Sequence, residues 1–449
     1  MPAQSTLRTL SLALAFAIPC AQATVVVPYL SYIGPGPLGV PNEFVRTPVN
    51  ESGPMTMYQD RIGIHLTIGT PPQHVFVPPH FFDSETYVKS ASLCNNYTST
   101  MGLGSAAQEC ESNYSGVFAA NESSTFESST GSFGTDTVTV FDAVPDLEND
   151  TFRFGVLNTN ELNYVGEEWG TLGLGPNSTF FKTFFPGKEQ VGIYYTGGNS
   201  THGQPAHSMP PRPLVVCELE FDGYNQSHYT GEKFTQPIGT PLANSTNPFT
   251  LNVTSIKVGN QEILGGESYL TAVDLSGRVS NVLPASVFDA YVDATGARIR
   301  SGLPSYNFSS LPTNPSEWYN FTVTFSNGFT VSLPQNIIIN PMQTFEPDLA
   351  IASILNVEDP RVSGRWPFPV LSLNQLMFTS YIGIDYAAEE WWLAKAVHPW
   401  DEPAANTSPN TNNNTTEPPT GAAAGGIGEN VRKVVISVAA LAGAFVLFC

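Results

Sequence analysis

Residues 62–90 of this chain read IGIHLTIGTPPQHVFVPPHFFDSETYVKS. An alternating apolar run leads into Gly69, Thr70, Pro71 and Pro72, and a second apolar run follows. Glycine and proline interrupt regular structure, so the stretch predicts two short strands joined by a turn. The aromatic-rich segment HFF, at residues 80–82, comes directly after the second run, and the interpretation of the whole chain depends on it.

The same texture extends through most of the chain. Short runs rich in Val, Ile, Thr, Tyr and Phe alternate with clusters of Gly, Asn, Pro and Ser. Examples are DTVTVF at 136–141, FTVTF at 321–325 and FTVSL at 329–333. Long helical periodicity is missing, so the pattern predicts an all-β protein. This region is large for one core, and we expect two lobes, at 57–236 and 237–398. The texture alone is also compatible with a pair of unrelated β-sandwiches.

Both ends of the chain have the pattern of processing signals. Residues 1–23 combine a basic n-region, an apolar stretch and a small-x-small cleavage site, which predicts a secretory signal peptide. Residues 431–449 end in an apolar tail, preceded by a polar spacer and small residues, which is typical of a removed glycolipid (GPI) anchor signal. The candidate attachment residues are Gly421, Ala422, Ala423 and Ala424. A tail anchor or a simply buried C-terminal helix is the alternative.

Two further segments are expected to lack regular structure. Residues 24–56 look irregular, and Arg46 is their only basic residue. Residues 399–430 are rich in Pro, Asn, Thr, Gly and Ala and cannot bury enough apolar surface to fold, which predicts a disordered stalk. With the two signals, these segments predict a secreted protein, held at the extracellular face of the plasma membrane or in the cell wall through a GPI anchor.

The chain is acidic, although it carries few charges. Its 18 Lys+Arg against 39 Asp+Glu give a net charge of −21, which argues against binding to nucleic acid or to anionic membranes. Only 13% of its residues are charged, so we expect glycans to supply much of its solubility. Asn-x-Ser/Thr acceptor sequences begin at Asn50, Asn96, Asn113, Asn121, Asn149, Asn177, Asn199, Asn225, Asn244, Asn252, Asn307, Asn320, Asn406, Asn413 and Asn414.

Three of the five cysteines remain once both signals are removed. Cys94 and Cys110 flank a polar, Gly-rich loop, and we expect them to form a disulfide in an oxidising compartment. Cys217 then has no partner within the chain. We interpret it as a buried small apolar residue rather than as a reactive thiol.

Several motifs occur along the chain in an order that points to a family. They are IGTPPQ at 68–73, GVF at 116–118 with SSTF at 123–126, DTV at 136–138, GTLGLGP at 170–176, EFDGYNQSHYTGE at 220–232, VTSIKV at 253–258, TAVDLSGRVSNVLP at 271–284 and VLSLNQLMFTSYIGIDYAAEEWWLAKA at 370–396. In this order the chain resembles the pepsin-like aspartic peptidases, in a fungal-type, GPI-anchored form. The resemblance implies an all-β, bilobal pepsin-like (acid protease) fold with two pseudo-symmetric β lobes and a cleft between them.

The resemblance also locates two catalytic positions, and neither carries an aspartate. These peptidases need two facing carboxylates, one protonated and one ionised, which hold the attacking water. In ungapped register His80 stands at the first position, with Phe81 and Phe82 in place of Thr and Gly. Leu275 stands at the second. Because both acid–base groups would be missing, we expect a negligible rate of hydrolysis.

A shifted register offers the alternative interpretation. Asp83, followed by Ser84 and Glu85, would then supply the first carboxylate, and Asp274 would supply the second. The first shift places Glu85 where a glycine is required for close backbone approach. The second shift turns the side chain to the opposite face of an extended segment. We therefore favour an inactive homologue over an enzyme that uses Asp83 and Asp274.

Two more features of active relatives are missing. Only a short segment, chiefly residues 127–134, separates SSTF from DTV, which leaves no room for the hairpin flap whose tyrosine closes over substrate. Phe133 and Gly134 stand where that flap would be. The basic prosegment is also missing, since Arg46 is the only basic residue of segment 24–56. Both departures indicate lost catalysis.

The histidines raise the question of a different chemistry. His65, His74 and His80 could suggest a metal site or a nucleophile pair, but their spacing is loose and no acidic partner is identifiable from the sequence. We interpret His80 as a replacement for an aspartate that is no longer needed. The sequence leads us to expect no metal and no cofactor.

Three functions remain in contention. The favoured one is a monomeric, catalytically inactive surface glycoprotein whose cleft binds a peptide, a protein or a cell-wall glycan. The second is an active acid aspartic-type endopeptidase. The third is a structural cell-wall glycoprotein in which the fold is a rigid platform for sugar.

Overall fold

The structure is a computed structural model. It describes residues 25–32, 61–95, 110, 116–129, 131–140, 143–158, 170–195, 214–275, 281–312, 319–341, 349–363, 366–372 and 376–398. Strands dominate these residues and the helices are short, which confirms the prediction of an all-β protein. The predicted signal peptide (1–23), stalk (399–430) and tail (431–449) lie outside the described residues.

Each strand is numbered in chain order. The strands are β1 (Val25–Tyr32), β2 (Arg61–Ile68), β3 (Gln73–Val77), β4 (Pro79–His80), β5 (Tyr87–Lys89), β6 (Glu127–Ser128), β7 (Phe133–Val140), β8 (Leu147–Leu157), β9 (Leu172–Gly173), β10 (Gln190–Tyr195), β11 (Leu214–Phe221), β12 (Tyr229–Pro237), β13 (Thr250–Val258), β14 (Gln261–Glu262), β15 (Tyr269–Asp274), β16 (Asn281–Leu283), β17 (Arg298–Arg300), β18 (Leu303–Asn307), β19 (Asn320–Phe325), β20 (Thr330–Pro334), β21 (Ile339–Pro341), β22 (Leu349–Ala352), β23 (Ile354–Asn356), β24 (Val370–Ser372), β25 (Ser380–Asp385) and β26 (Glu390–Ala396). The three runs cited as strand examples fall on β7, β19 and β20.

Helices are few and short. The α-helices are α1 (Thr179–Phe184), α2 (Ala285–Thr295), α3 (Gln335–Ile338) and α4 (Pro360–Ser363). Short 3-10 helices cover Ala91–Cys94, Ala120–Glu122, Gln226–His228 and Phe308–Ser310. Among the described residues, no helix combines the length and the apolar character that crossing a lipid bilayer requires.

Two large sheets organise the chain. The first has twelve strands in the order β12-β26-β25-β10-β11-β1-β2-β7-β8-β5, with β3 added to β2 and β6 added to β7. The second has eight strands in the order β20-β19-β13-β15-β24-β16-β23, with β14 added to β13. A four-stranded sheet, β17-β18-β22-β21, and the two-stranded sheet β4-β9 complete the architecture. Most of the first sheet comes from the first half of the chain, and the second sheet comes entirely from the second half.

Strand β1 corrects one expectation from the sequence. It lies in segment 24–56, which was expected to be irregular, so that expectation is wrong for residues 25–32. β1 pairs antiparallel with β11 over most of its length and with β2 near its end. Its strand partner β11 is distant in the sequence, and a pairing of that kind leaves no local pattern.

The boundary expected at residues 236 and 237 does not separate the sheets. Strands β25 and β26 belong to the second half of the chain, but β25 pairs with β10 and β26 pairs with β12 in the first sheet. The end of the described chain therefore returns to complete the sheet that the beginning of the chain started.

The interior of the first sheet explains two of the sequence motifs. Strand β7 alternates regularly between buried and partly buried residues, as expected for a strand with one face in the core. Asp136 lies on the buried face, and its carboxylate accepts hydrogen bonds from Ser123 Oγ (2.7 Å), Thr125 Oγ1 (2.5 Å) and the Thr137 amide (2.8 Å). The buried charge of the DTV motif is thus satisfied by the SSTF motif.

The cysteines are arranged as predicted. Cys94 and Cys110 form a disulfide, with their Cα atoms 5.5 Å apart. Cys217 is free and buried on β11. Burial raises the pKa of its thiol far above the ordinary value, with a smaller contribution from Glu218. The thiolate is therefore disfavoured, which supports a packing role for Cys217 rather than reactivity.

Candidate functional site

The loop that begins at His80 is held by the GTLGLGP segment. Strand β4 runs parallel to β9, with His80 opposite Gly173. The amide of Leu174 donates to the His80 carbonyl at 2.8 Å, and the amide of Gly175 donates to the Asp83 carbonyl at 2.7 Å. The backbone of the first candidate position is therefore fixed from one side by hydrogen bonds.

Two glycines make this close approach feasible. A Cβ atom at Gly173 would lie 2.5 Å from the carbonyl oxygen of Glu85, and one at Gly175 would lie 2.5 Å from the carbonyl carbon of Phe82. Real Cβ atoms do not come this near to backbone atoms, so a side chain at either position would push the loop away. The glycines of the GTLGLGP motif thus have a direct steric purpose.

The side chains of His80 and Asp83 are in direct contact. His80 Nδ1 lies 2.7 Å from Asp83 Oδ2, and the imidazole also packs on the Phe82 ring with centroids 4.0 Å apart. The His80 side chain is 17% exposed and that of Asp83 is 43% exposed. The sequence-based statement that His80 has no identifiable acidic partner is therefore wrong, because the partner is the shifted candidate Asp83 itself.

Glu85 is engaged in a separate set of contacts. Its Oε2 accepts from Arg153 Nη1 at 2.6 Å and from Thr179 Oγ1 at 3.0 Å. The Arg153 guanidinium also lies over the Phe133 ring, 4.0 Å from its centroid. Glu85 thus ties the loop to β8 and to the start of α1. Sequence reasoning missed Arg153 and Thr179, because both are distant from the loop along the chain.

Tyr386 holds the same loop from another direction. It follows β25, and its hydroxyl donates to the carbonyl of Phe81. Burial is the main cause of a Tyr386 pKa well above the ordinary value, with Glu189 contributing less, so the hydroxyl keeps the proton that it donates. A segment near the C-terminal end of the described chain therefore helps to fix the first candidate position.

The second candidate position has a different character. Strand β15 runs parallel to β24, and Asp274 lies opposite Ser372 at the end of the strand. Leu275 is only 3% exposed and belongs to the hydrophobic core, whereas Asp274 is partly exposed. Asp274 ends the strand and Leu275 lies in the turn that follows, and the different burial of the two residues shows that the Asp274 carboxylate does not occupy the place of the Leu275 side chain. Ser276 and Gly277 lie outside the described residues.

Strands β6 and β7 form a short hairpin between the SSTF and DTV motifs, where we expected none. Strands β6 and β7 pair through Glu127 with Thr135 and through Ser128 with Gly134. The expectation of no hairpin is therefore wrong, although the ladder is only two pairs long. Phe133 packs against the Tyr87 ring at 5.5 Å and against Arg153, which pins this hairpin to its own sheet.

Two of the three histidines singled out in the sequence lie together. His65 Nε2 is 3.1 Å from His74 Nδ1, across the β2–β3 hairpin, and the His65 ring stacks on Phe76 at 4.5 Å. His80 instead pairs with Asp83. The histidines therefore belong to two separate groups.

The described glycosylation acceptors all reach the surface. Those at Asn121, Asn177, Asn244, Asn307 and Asn320 are exposed, and those at Asn149, Asn225 and Asn252 are partly exposed. Asn50, Asn96, Asn113, Asn199, Asn406, Asn413 and Asn414 lie outside the described residues, as do the anchor candidates Gly421, Ala422, Ala423 and Ala424.

Comparisons with known proteins give limited information. No family model matches the chain, and no curated protein matches it either. Among solved structures, the crystal structure of aspartic proteinase from Irpex lacteus is similar, with a TM-score of 0.49 and 17% sequence identity, over 83% of this chain and 98% of that chain.

Proposed function

We propose that this protein is a catalytically inactive homologue of the pepsin-like aspartic peptidases. It acts as a secreted, GPI-anchored glycoprotein that binds a peptide, a protein or a glycan at the cell surface. The collinear motifs in the sequence support the family, and the two candidate catalytic positions support the loss of activity.

The contact between His80 and Asp83 carries the proposal. In an aspartic peptidase the two carboxylates must share a proton and hold one water molecule between them. Asp83 instead lies 2.7 Å from an imidazole nitrogen, so the carboxylate nearest the first position is engaged with a side chain of its own loop. Glu85, the other carboxylate of the loop, contacts Arg153.

Leu275 supports the same conclusion at the second position. An alkyl side chain can neither donate nor accept a proton, and this one lies in the hydrophobic core. The backbone supports of the first position are nevertheless retained, namely Gly173, Gly175 and Tyr386. A protein that keeps this scaffold but lacks the acid–base groups could bind a ligand without cleaving it.

One observation favours the alternative, an acid endopeptidase that uses Asp83 and Asp274. The Asp83 side chain is 43% exposed, so solvent reaches it, and Asp274 is partly exposed as well. This alternative requires the two carboxylates to act on one water molecule.

Proteolysis assays distinguish these two functions. The mature chain, expressed in a glycosylating host, is incubated with a mixed peptide library between about pH 3 and 6, where carboxylate pairs act as acid and base. Asp83→Asn and Asp274→Asn serve as matched variants. We expect no cleavage above a blank from any of the three proteins. Cleavage by the wild-type chain that disappears in both variants would establish the endopeptidase instead.

Peptide and glycan arrays test the binding function. We expect saturable binding that weakens in His80→Ala and stays unchanged in Glu232→Gln, a variant of an exposed residue on β12. Absence of saturable binding to either array would favour the third function, a structural glycoprotein that carries sugar.

A further inference from the structure

A second polar cluster lies on the opposite side of β11 from the core. Glu218 and Glu220 are two residues apart on this strand, so their side chains share one face. The alternate residues Cys217, Leu219 and Phe221 are buried in the hydrophobic core. The short helix Gln226–His228 folds back over the polar face and places His228 Nδ1 2.5 Å from Glu220 Oε1. One ligand atom from each of Glu218, Glu220 and His228 lies within 4.8 Å of the other two.

The surroundings fix Glu220 in one orientation. Its side chain is fully buried, and Oε2 accepts from the Tyr381 hydroxyl at 2.5 Å and from the Asn225 amide at 2.6 Å. Gly192 faces Glu220 on β10, and a Cβ atom there would lie 1.9 Å from the Tyr381 hydroxyl oxygen. The glycine therefore leaves the space through which Tyr381 reaches the carboxylate. Oε1 is left pointing toward His228.

His228 is held equally firmly. Its ring stacks on Tyr194 with centroids 3.8 Å apart, and its Nε2 lies 3.2 Å from the side-chain nitrogen of Asn225. Metal-binding histidines and carboxylates in proteins are usually oriented by such contacts at the atom that does not bind the metal. In this cluster, the contacts of Glu220 Oε2 and His228 Nε2 leave Glu220 Oε1 and His228 Nδ1 facing each other.

The charge of the cluster favours a cation. Among the ion pairs of the described residues, His228 is the partner of Glu220. The ammonium group of Lys233, on β12, lies over aromatic rings. These rings belong to Trp392 (4.1 Å), Tyr229 (5.1 Å) and Tyr224 (5.2 Å).

We propose that Glu218, Glu220 and His228 form a binding site for a divalent transition-metal ion, and that zinc fits it best. One imidazole nitrogen and two carboxylate oxygens, with a water molecule as fourth ligand, form a zinc-type ligand set. Calcium and magnesium prefer six or more oxygen ligands, so they fit less well. This site departs from the sequence-based expectation of no metal, and it is independent of the proposed function.

Binding requires a proton to leave. The ion needs the lone pairs of both His228 Nδ1 and Glu220 Oε1, so the two atoms must separate and any proton between them must pass to solvent. Glu218 and His228 are partly exposed, so the ion and its water ligand can enter from the surface.

Zinc titration of the mature, glycosylated chain without a polyhistidine tag tests the site. After treatment with a chelator, zinc binding is measured by calorimetry at about pH 7, with calcium in a parallel arm. We expect one zinc per chain, and an affinity at least about tenfold lower in Glu218→Gln and in His228→Gln. Unfolding curves without metal show whether each variant is folded. Glutamine has nearly the shape of glutamate and residue 218 is partly exposed, so we expect Glu218→Gln to fold. This variant therefore still tests the site if His228→Gln unfolds.

Two variants serve as controls. Glu232→Gln removes an exposed carboxylate from β12, and His80→Gln removes a histidine from the other site; both should bind zinc like the wild-type chain. The proposal is overturned if the wild-type chain binds no stoichiometric zinc, if Glu218→Gln binds it equally well, or if His80→Gln alone loses it.

Discussion

The two candidate catalytic positions differ in the surroundings of their side chains. In the loop after β4, ionisable side chains remain, and each has a partner: His80 contacts Asp83, and Glu85 contacts Arg153. At the end of β15, Leu275 contributes instead to the hydrophobic core. The first candidate position thus keeps ionisable side chains in contact with one another, whereas the second is part of the core. These two arrangements have very different consequences for stability, because only the second makes the position part of the packed interior.

The largest effect is expected at the core position. Leu275→Asp should lower the free energy of unfolding by about 3 to 5 kcal/mol, since it places an unpaired carboxylate at a site that is 3% exposed. Urea unfolding followed by circular dichroism measures this loss.

Two variants calibrate that result. Leu275→Met conserves volume and should cost less than about 1.5 kcal/mol. His80→Asn removes the imidazole at the other candidate position. It should cost about 1 kcal/mol or less, because the contact between His80 and Asp83 is partly exposed. Equal losses from Leu275→Asp and His80→Asn would show that the two positions do not differ as described.

An intermediate effect is expected where the paired loop meets its support. Gly175→Ala should lower stability by about 1 to 3 kcal/mol, because the new methyl group would lie 2.5 Å from the Phe82 backbone. Gly239→Ala is the control, since its Cβ atom would approach nothing closer than 3.7 Å. If thermal unfolding shows both changes to be neutral, the loop is not held against the GTLGLGP segment.

The smallest effect is expected for the pair of Glu85 and Arg153. Their side chains are 32% and 42% exposed, so solvent weakens their attraction. A double-mutant cycle with Glu85→Gln and Arg153→Met should give a coupling of about 0.2 to 1 kcal/mol that decreases in high salt. A coupling above about 2 kcal/mol would mean that this pair behaves like a buried one.

Local patterns in the sequence predicted the strands well. The alternation of β7 and the Val/Thr/Phe runs of β19 and β20 are visible within a few residues, because one face of each strand packs in the core. Strand β1 was missed because its pairing with β11 joins distant parts of the chain.

The residues at the first candidate position were predicted, but their contacts were not. Sequence reasoning named both His80 and Asp83, yet it treated Asp83 as a rival for the catalytic position rather than as the partner of His80. The Tyr386 hydroxyl reaches the Phe81 carbonyl from the far end of the chain. Glu218 and Glu220 were overlooked although their spacing places them on one face of a strand, since that pattern alone is common on solvated strands.

The return of β25 and β26 to the first sheet has a consequence for biosynthesis. A nascent chain that has been made only as far as residue 379 already contains β10 and β12, but it lacks the strands that cover their edges. Uncovered edges of this kind pair readily with other chains. The first sheet can therefore close only after β26 has been made. Until then, the edges of β10 and β12 stay open to pairing with other chains.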